Sequence, residues 1–193
     1  MIKILFFVVF IFNYCMAQNT TKQITLGGGC FWCIEAAFED AKGVESVVSG
    51  FSGGDIKNPA YREVVKGYTN HAEVCQITYN PKIISLENIF EIFFLVHDPT
   101  TLNRQGNDIG SHYRSIILYH NDNELELIKK EIDKYNKKYF ENKIVTEIQK
   151  FEVFYPAENY HQEYYKNNTD QPYCKLVIEP KLNKARNLLS KYY

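Results

Sequence analysis

Three successive glycines, Gly27, Gly28 and Gly29, separate the short segment Ile24 to Leu26 from one where Ile34, Ala37, Phe38 and Ala41 recur at helical spacing. Residues without a side chain contribute nothing to the interior of a strand or helix, so the backbone must turn there. The chain therefore opens as strand, glycine turn, helix. Residues 44–51 read as a second strand, Gly53, Gly54, Asn58 and Pro59 as a loop, and residues 73–79 as a third strand closed by Asn80 and Pro81. Ser85 caps a helix running to about Val96. Residues 115–119 read as a strand, residues 124–140 as a helix with Leu125, Ile128, Ile132 and Tyr135 on one face, and residues 144–154 as the last long strand. This is the split βαβ order, so the predicted class is α+β, a two-layer sandwich around a ferredoxin-like plait. A stripe of Leu182, Ala185, Leu189 and Tyr192 predicts a docked C-terminal helix, with Lys181, Lys184 and Lys191 mostly off it, and the polar stretch 159–169 is the longest predicted loop.

Composition narrows the partners. Lys plus Arg number 22 against 23 Asp plus Glu, so there is no basic surplus to hold a phosphate backbone, and nucleic acid is not an expected partner. Lys3 precedes an apolar run at residues 4–12, which falls short of the roughly 20 residues of a membrane span but suits a signal-peptide core. Cleavage after Ala17 would leave Gln18 as the first residue of an exported chain, periplasmic or secreted, with residues 18–193 as a single monomeric domain. A membrane anchor and a lipid-modified Cys15 are the alternatives. Five histidines are scattered without metal-ligand spacing, so no metal is expected.

The remaining cysteines are Cys30, Cys33, Cys75 and Cys174, in a chain long enough to fold without staples, which points to redox chemistry. Cys30 follows the glycine turn at the start of a helix, where free backbone N–H groups favour a thiolate. Cys33 stands at the Cys-x-x-Cys spacing, and Phe31 and Trp32 between the two suggest an apolar pocket for a small group. Cys75 reads as a small buried hydrophobe. Glu73 shares its strand face, and on residue type alone would more often meet solvent.

The stretch from Gly29 through Cys30, Phe31, Trp32 and Cys33 to Glu35 resembles the active-site signature of the A-type peptide methionine sulfoxide reductases. Further blocks follow in the family's order: Asn58 to Val64, His71-Ala72-Glu73, His97-Asp98-Pro99, Arg104 to Gly110, Tyr113-Arg114-Ser115, Tyr155 to Gln162, and Gln171-Pro172-Tyr173-Cys174. The resemblance implies that Cys30 attacks the sulfur of a methionine S-sulfoxide, free or in an oxidised protein, while Phe31 and Trp32 hold the substrate methyl. It implies a polar cluster of Tyr61, Glu73, Asp108 and Tyr113 around the sulfoxide oxygen. A carboxylic acid kept protonated by burial suits that place, so Glu73 is the expected acid, Tyr61 and Tyr113 the expected donors, and Asp108 an orienting group. A sulfenic acid on Cys30 would be resolved by Cys33 or by Cys174, with Cys33 first, and the disulfide returned to thiols by thioredoxin or another dithiol, without a bound cofactor. A general dithiol-disulfide oxidoreductase is the alternative enzyme, and a methionine-capturing binder without catalysis the alternative outside enzymes.

Overall fold

The structure is a computed structural model in which residues 21–193 are described; the segment read as a signal peptide lies outside them. In chain order come β1 (Lys22–Gly27), α1 (Phe31–Glu39), β2 (Val44–Ser52), α2 (Tyr61–Val64), β3 (Ala72–Tyr79), α3 (Leu86–Val96) and the two-residue strands β4 (Arg104–Gln105) and β5 (Asp108–Ile109). Then follow β6 (Ile116–Tyr119), α4 (Asp122–Tyr139), β7 (Glu147–Lys150), β8 (Phe154–Pro156), α5 (Tyr164–Asn167) and α6 (Glu179–Leu188). The class is mixed α+β. No helix among the described residues is long and apolar enough to cross a membrane.

Six strands form one sheet in the order β7-β6-β1-β3-β2-β8. All neighbours are antiparallel except β6 and β7, which are parallel and joined through α4. The predicted last strand is thus two strands, on opposite edges of the sheet. Residues 151–153 link them, a path of at most about 14 Å. The outer strands of a flat six-stranded sheet would lie about 24 Å apart. The sheet must therefore curl until its edges approach, and Ser52 Oγ on β2 donates to the carbonyl of Val153 in this link at 2.6 Å.

Period-two alternation sorts β3 between two packing environments. Glu73, Cys75, Ile77 and Tyr79 face α1, where Ile34, Ala37 and Phe38 join Phe90 and Phe93 of α3 in the main core. Ala72 and Val74 face the inside of the curl with Ile116 and Leu118, closed over by Phe151 and Phe154. At the start of α3, Ser85 Oγ accepts the Asn88 amide N–H at 3.3 Å, the cap its sequence predicts. The C-terminal stripe docks as predicted, with Leu182, Ala185, Leu189 and Tyr192 all buried.

Candidate active site

The glycine turn has tight surroundings. Gly29 has φ +91°, and a Cβ on Gly28 would come within 2.9 Å of the His97 ring. That ring is fixed in turn: its Nδ1 lies 2.6 Å from the Phe93 carbonyl and its Nε2 2.8 Å from Ser115 Oγ. Burial lowers His97 to about 4, so the neutral ring donates through one nitrogen and accepts through the other. Gln105 exchanges hydrogen bonds with the backbone of Asp98, its Oε1 accepting the amide at 3.0 Å and its Nε2 donating to the carbonyl at 3.1 Å. These motif residues hold the turn from behind.

The turn delivers Cys30 as the residue that opens α1, its carbonyl accepting the Cys33 amide at 3.0 Å. Both thiols are buried and reduced. Directly below lies the start of β3. The Phe31 amide donates to Glu73 Oε2 at 3.1 Å, and Cys75 Sγ donates to the Phe31 carbonyl at 3.3 Å, so two residues of one strand face pin the backbone beside the nucleophile. Glu73 is only 1% exposed, which overturns the solvent-facing expectation from its residue type. Burial raises its carboxyl to about 8 against the pull of the Phe31 amide, and Asp108 and Cys33 push the same way. Its other oxygen, Oε1, is buried without a partner.

Electrostatics divides the two thiols unexpectedly. Burial, its hydrogen bond to Cys33 and the nearby Glu73 push Cys30 well above the usual thiol range. Cys33 is lowered to about 7, chiefly by the hydrogen bond from Cys30, which outweighs burial; the Lys181 ammonium and the Tyr173 hydroxyl help. Of the two thiols, Cys33 is therefore the more acidic. The helix start alone favours Cys30, but that site is also buried and carries an acidic neighbour.

Aromatic rings form the floor. Phe31 lies parallel to Tyr61 at 6.3 Å, and the Trp32 indole stacks on Tyr164 at 3.6 Å. Burial, then the neighbouring Glu73 and Cys30, raise Tyr61 and Tyr113, so both hydroxyls keep their protons. Asp108 accepts a hydrogen bond from Tyr173 at 2.7 Å, a residue to which the sequence pattern assigns no role. Cys174 is fully buried and opens a wide helical turn, Cys174–Ile178, leading into α6.

Three more residues went unassigned. Glu35, buried in α1, accepts the amides of Glu163 and Tyr164 at 3.0 and 3.2 Å and so fixes the ring that backs Trp32. The stretch predicted as a loop is hence a short turn at Asn159–His161 followed by α5. His161 packs on Tyr61 at 4.3 Å with both ring nitrogens buried and unpartnered, and burial keeps it neutral. Lys181 was read as lying off the packing stripe of α6, yet its Nζ donates to Cys33 Sγ at 3.6 Å. Glu35 and His161 stood within quoted motif blocks, whereas nothing in the sequence marked Lys181. A separate hollow of about 530 Å³ between α3, α4 and α6, lined by Phe94, Tyr135 and Leu188 among others, excludes the dithiol.

Comparison with known proteins matches this chain over residues 22–192 to the profile of the family described as peptide methionine sulfoxide reductase. It is 54% identical over 160 residues to the peptide methionine sulfoxide reductase MsrA of Sulfolobus acidocaldarius, covering 83% of this chain and 90% of that protein. Among solved structures, the reduced form of Mxr1 from Saccharomyces cerevisiae matches with a TM-score of 0.76 at 37% identity, covering 80% of this chain and 89% of Mxr1. Mxr1 in complex with Trx2 matches with a TM-score of 0.55 at 32% identity, covering 75% and 84% of the two chains. Since the family match takes in both the glycine turn and the C-terminal helix that reaches back to it, this chain belongs to the peptide methionine sulfoxide reductase family, among the proteins named MsrA.

Proposed function

We propose that this protein reduces methionine S-sulfoxide, free or within oxidised proteins, to methionine, with Cys30 as nucleophile and Glu73 as general acid. The observation that carries the reading is Glu73 itself. One oxygen is held by the Phe31 amide, the other is buried and unpartnered, and the group keeps its proton to about pH 8. A sulfoxide oxygen leaves poorly until protonated, and a neutral acid in a buried site is placed to supply that proton. Tyr61 and Tyr113 act as hydrogen-bond donors to the same oxygen, and Phe31 and Trp32 cradle the methyl group. Asp108 orients the site through Tyr173.

In the first step Cys30 sulfur bonds to the substrate sulfur, and the oxygen takes the Glu73 proton and passes as hydroxyl to Cys30. The thiol proton of Cys30 restores the acid. The Cys30 sulfur is oxidised by two electrons to a sulfenic acid, the sulfoxide sulfur is reduced by two, and methionine leaves. Cys33 then displaces the hydroxyl to form the Cys30–Cys33 disulfide and water; Cys174 exchanges into that bond and offers a disulfide to a thioredoxin-like dithiol. The Mxr1–Trx2 complex supports such a donor.

The order β6-β1-β3-β2 within the sheet supports a split βαβ plait as the core. We further propose a single catalytic domain over residues 18–193, acting as a monomer after export. The family match does not favour a general dithiol-disulfide oxidoreductase. The test is turnover of separated sulfoxide epimers with mass mapping of the oxidised protein. Methionine from the S epimer, with loss of two hydrogens from the cysteine peptides, is expected; insulin reduction without sulfoxide turnover would refute the reading.

A further inference from the structure

We propose that Lys181, on the C-terminal helix, is the positioning residue that holds Cys33 ready to close the disulfide, so that the docked tail governs this step. The inference rests on the reading above for the identity of the step, not for the contact. Lys181 Nζ lies 3.6 Å from Cys33 Sγ, and the Tyr173 hydroxyl, itself bonded to Asp108, lies 4.0 Å from the same sulfur. The ionisable groups facing Cys33 are Cys30 on its own helix, Glu73 from β3, Tyr173 and Cys174 from the preceding turn, and Lys181 from α6. Lys181 is the one cation in this set. Once Cys30 is oxidised to the sulfenic acid, the thiol bond that chiefly favours the Cys33 thiolate is gone, and the ammonium becomes its principal support.

The closing step balances. The Cys33 thiolate attacks Cys30 sulfur, the S–S bond forms as the S–O bond breaks, and the departing hydroxide takes the Glu73 proton to become water. Cys33 and Cys30 end as a disulfide and Glu73 as a carboxylate, which solvent reprotonates. Lys181 donates no proton here; it keeps the attacking sulfur ionised and near the bond to be broken.

An opposite charge at this range moves a thiol pKa by about 1–3 units. Removing it raises the Cys33 midpoint and leaves a smaller thiolate fraction at neutral pH. Because intrinsic thiolate nucleophilicity climbs with pKa at a slope of about 0.4–0.5, much of that loss is offset. For a rise of one to two units, closure slows about 3- to 15-fold at pH below both midpoints, and at pH above both the variant becomes about 3-fold or more faster than wild type. The two pH profiles must cross, whereas a misfolded site would be slow throughout.

The experiment uses the full-length protein in a Cys174→Ser background, comparing Lys181 with Lys181→Met and Lys181→Arg. Thiolate absorbance at 240 nm of the reduced protein gives the Cys33 midpoint without any substrate. Rapid-quench single turnover then separates methionine formation from disulfide closure across pH. The expected results are an upward midpoint shift of about 1–2 units in Lys181→Met, an unchanged methionine burst, crossing closure profiles, and recovery in Lys181→Arg. An unshifted midpoint, or slower closure by one factor at every pH, overturns the proposal. Absence of methionine in every variant would refute the function while the absorbance titration still decides the role of Lys181.

Discussion

Replacing Glu73 by Gln removes the acidic proton while keeping the side chain's shape, and the structure says the folded protein should gain stability from it. In the native state the carboxyl titrates at about 8, against 4.5 for an ordinary glutamate. Between those values the folded chain keeps a proton that the unfolded chain has released, so unfolding becomes easier as pH rises through the window. The wild type thus holds its full stability below about pH 4.5 and loses it progressively up to about pH 8. At 1.36 kcal/mol per unit the loss amounts to about 3 kcal/mol at pH 7. The amide introduced by Glu73→Gln is neutral throughout, and its carbonyl oxygen can still accept the Phe31 amide. The variant should therefore match wild type near pH 4.5 and exceed it by about 3 kcal/mol at pH 7, or about 6–12 °C in Tm. Its kcat/KM should fall about 10²- to 10⁴-fold, the usual worth of a positioned general acid. Urea unfolding of both reduced proteins at pH 5, 7 and 8.5 measures the gap, and other titrating groups cancel in the difference. A gap that does not change with pH would mean an ordinary ionised carboxylate at neutral pH, and the general-acid assignment would fall with it.

Cys30→Ser should abolish sulfoxide reduction in a coupled assay, because a hydroxyl cannot pass through a sulfenic acid; turnover above a few per cent of wild type would refute the role. Glu35→Ala leaves two amides without their acceptor and frees Glu163, whose φ of 49° is held by that contact. It should cost about 2–4 kcal/mol and raise KM as Tyr164 leaves Trp32, read by urea unfolding and steady-state kinetics. In single turnover without reductant, peptide mapping should find a Cys30–Cys33 bond in Cys174→Ser and slower closure in Cys33→Ser; wild-type closure and recycling in Cys33→Ser would make Cys174 the sole resolving thiol.

Local pattern made most of the fold legible. The glycine turn, the Ser85 cap and the stripe on the last helix each depend on contacts within a few residues, and each stands where the sequence puts it. The misreading at residues 144–154 had a different origin. Apolar residues continue through Phe151 and Val153, so nothing in the alternation marks the point where the chain leaves one edge of the sheet for the other. Only the curl, a property of all six strands together, brings those edges close enough for three residues to bridge them.

The site divides along the same line. Residue type and motif order brought Cys30, Phe31, Trp32, Glu73, Tyr61, Tyr113 and Asp108 to notice, but where each proton rests depends on burial and on neighbours distant in sequence. Glu73 acquires its raised pKa from desolvation under α1, and Cys33 is lowered by Cys30 and by a lysine 148 positions downstream. On α6, Lys181 precedes the buried Leu182 and is itself only partly covered, a pattern equally suited to a solvated lysine. What distinguishes it is that the wide turn at Cys174–Ile178 joins α6 without a break, so the helix packs across α1 and brings residue 181 to the second thiol. The same turn carries Tyr173 and Cys174. A change in charge at Cys33 is therefore felt by the segment that holds the next thiol of the proposed relay.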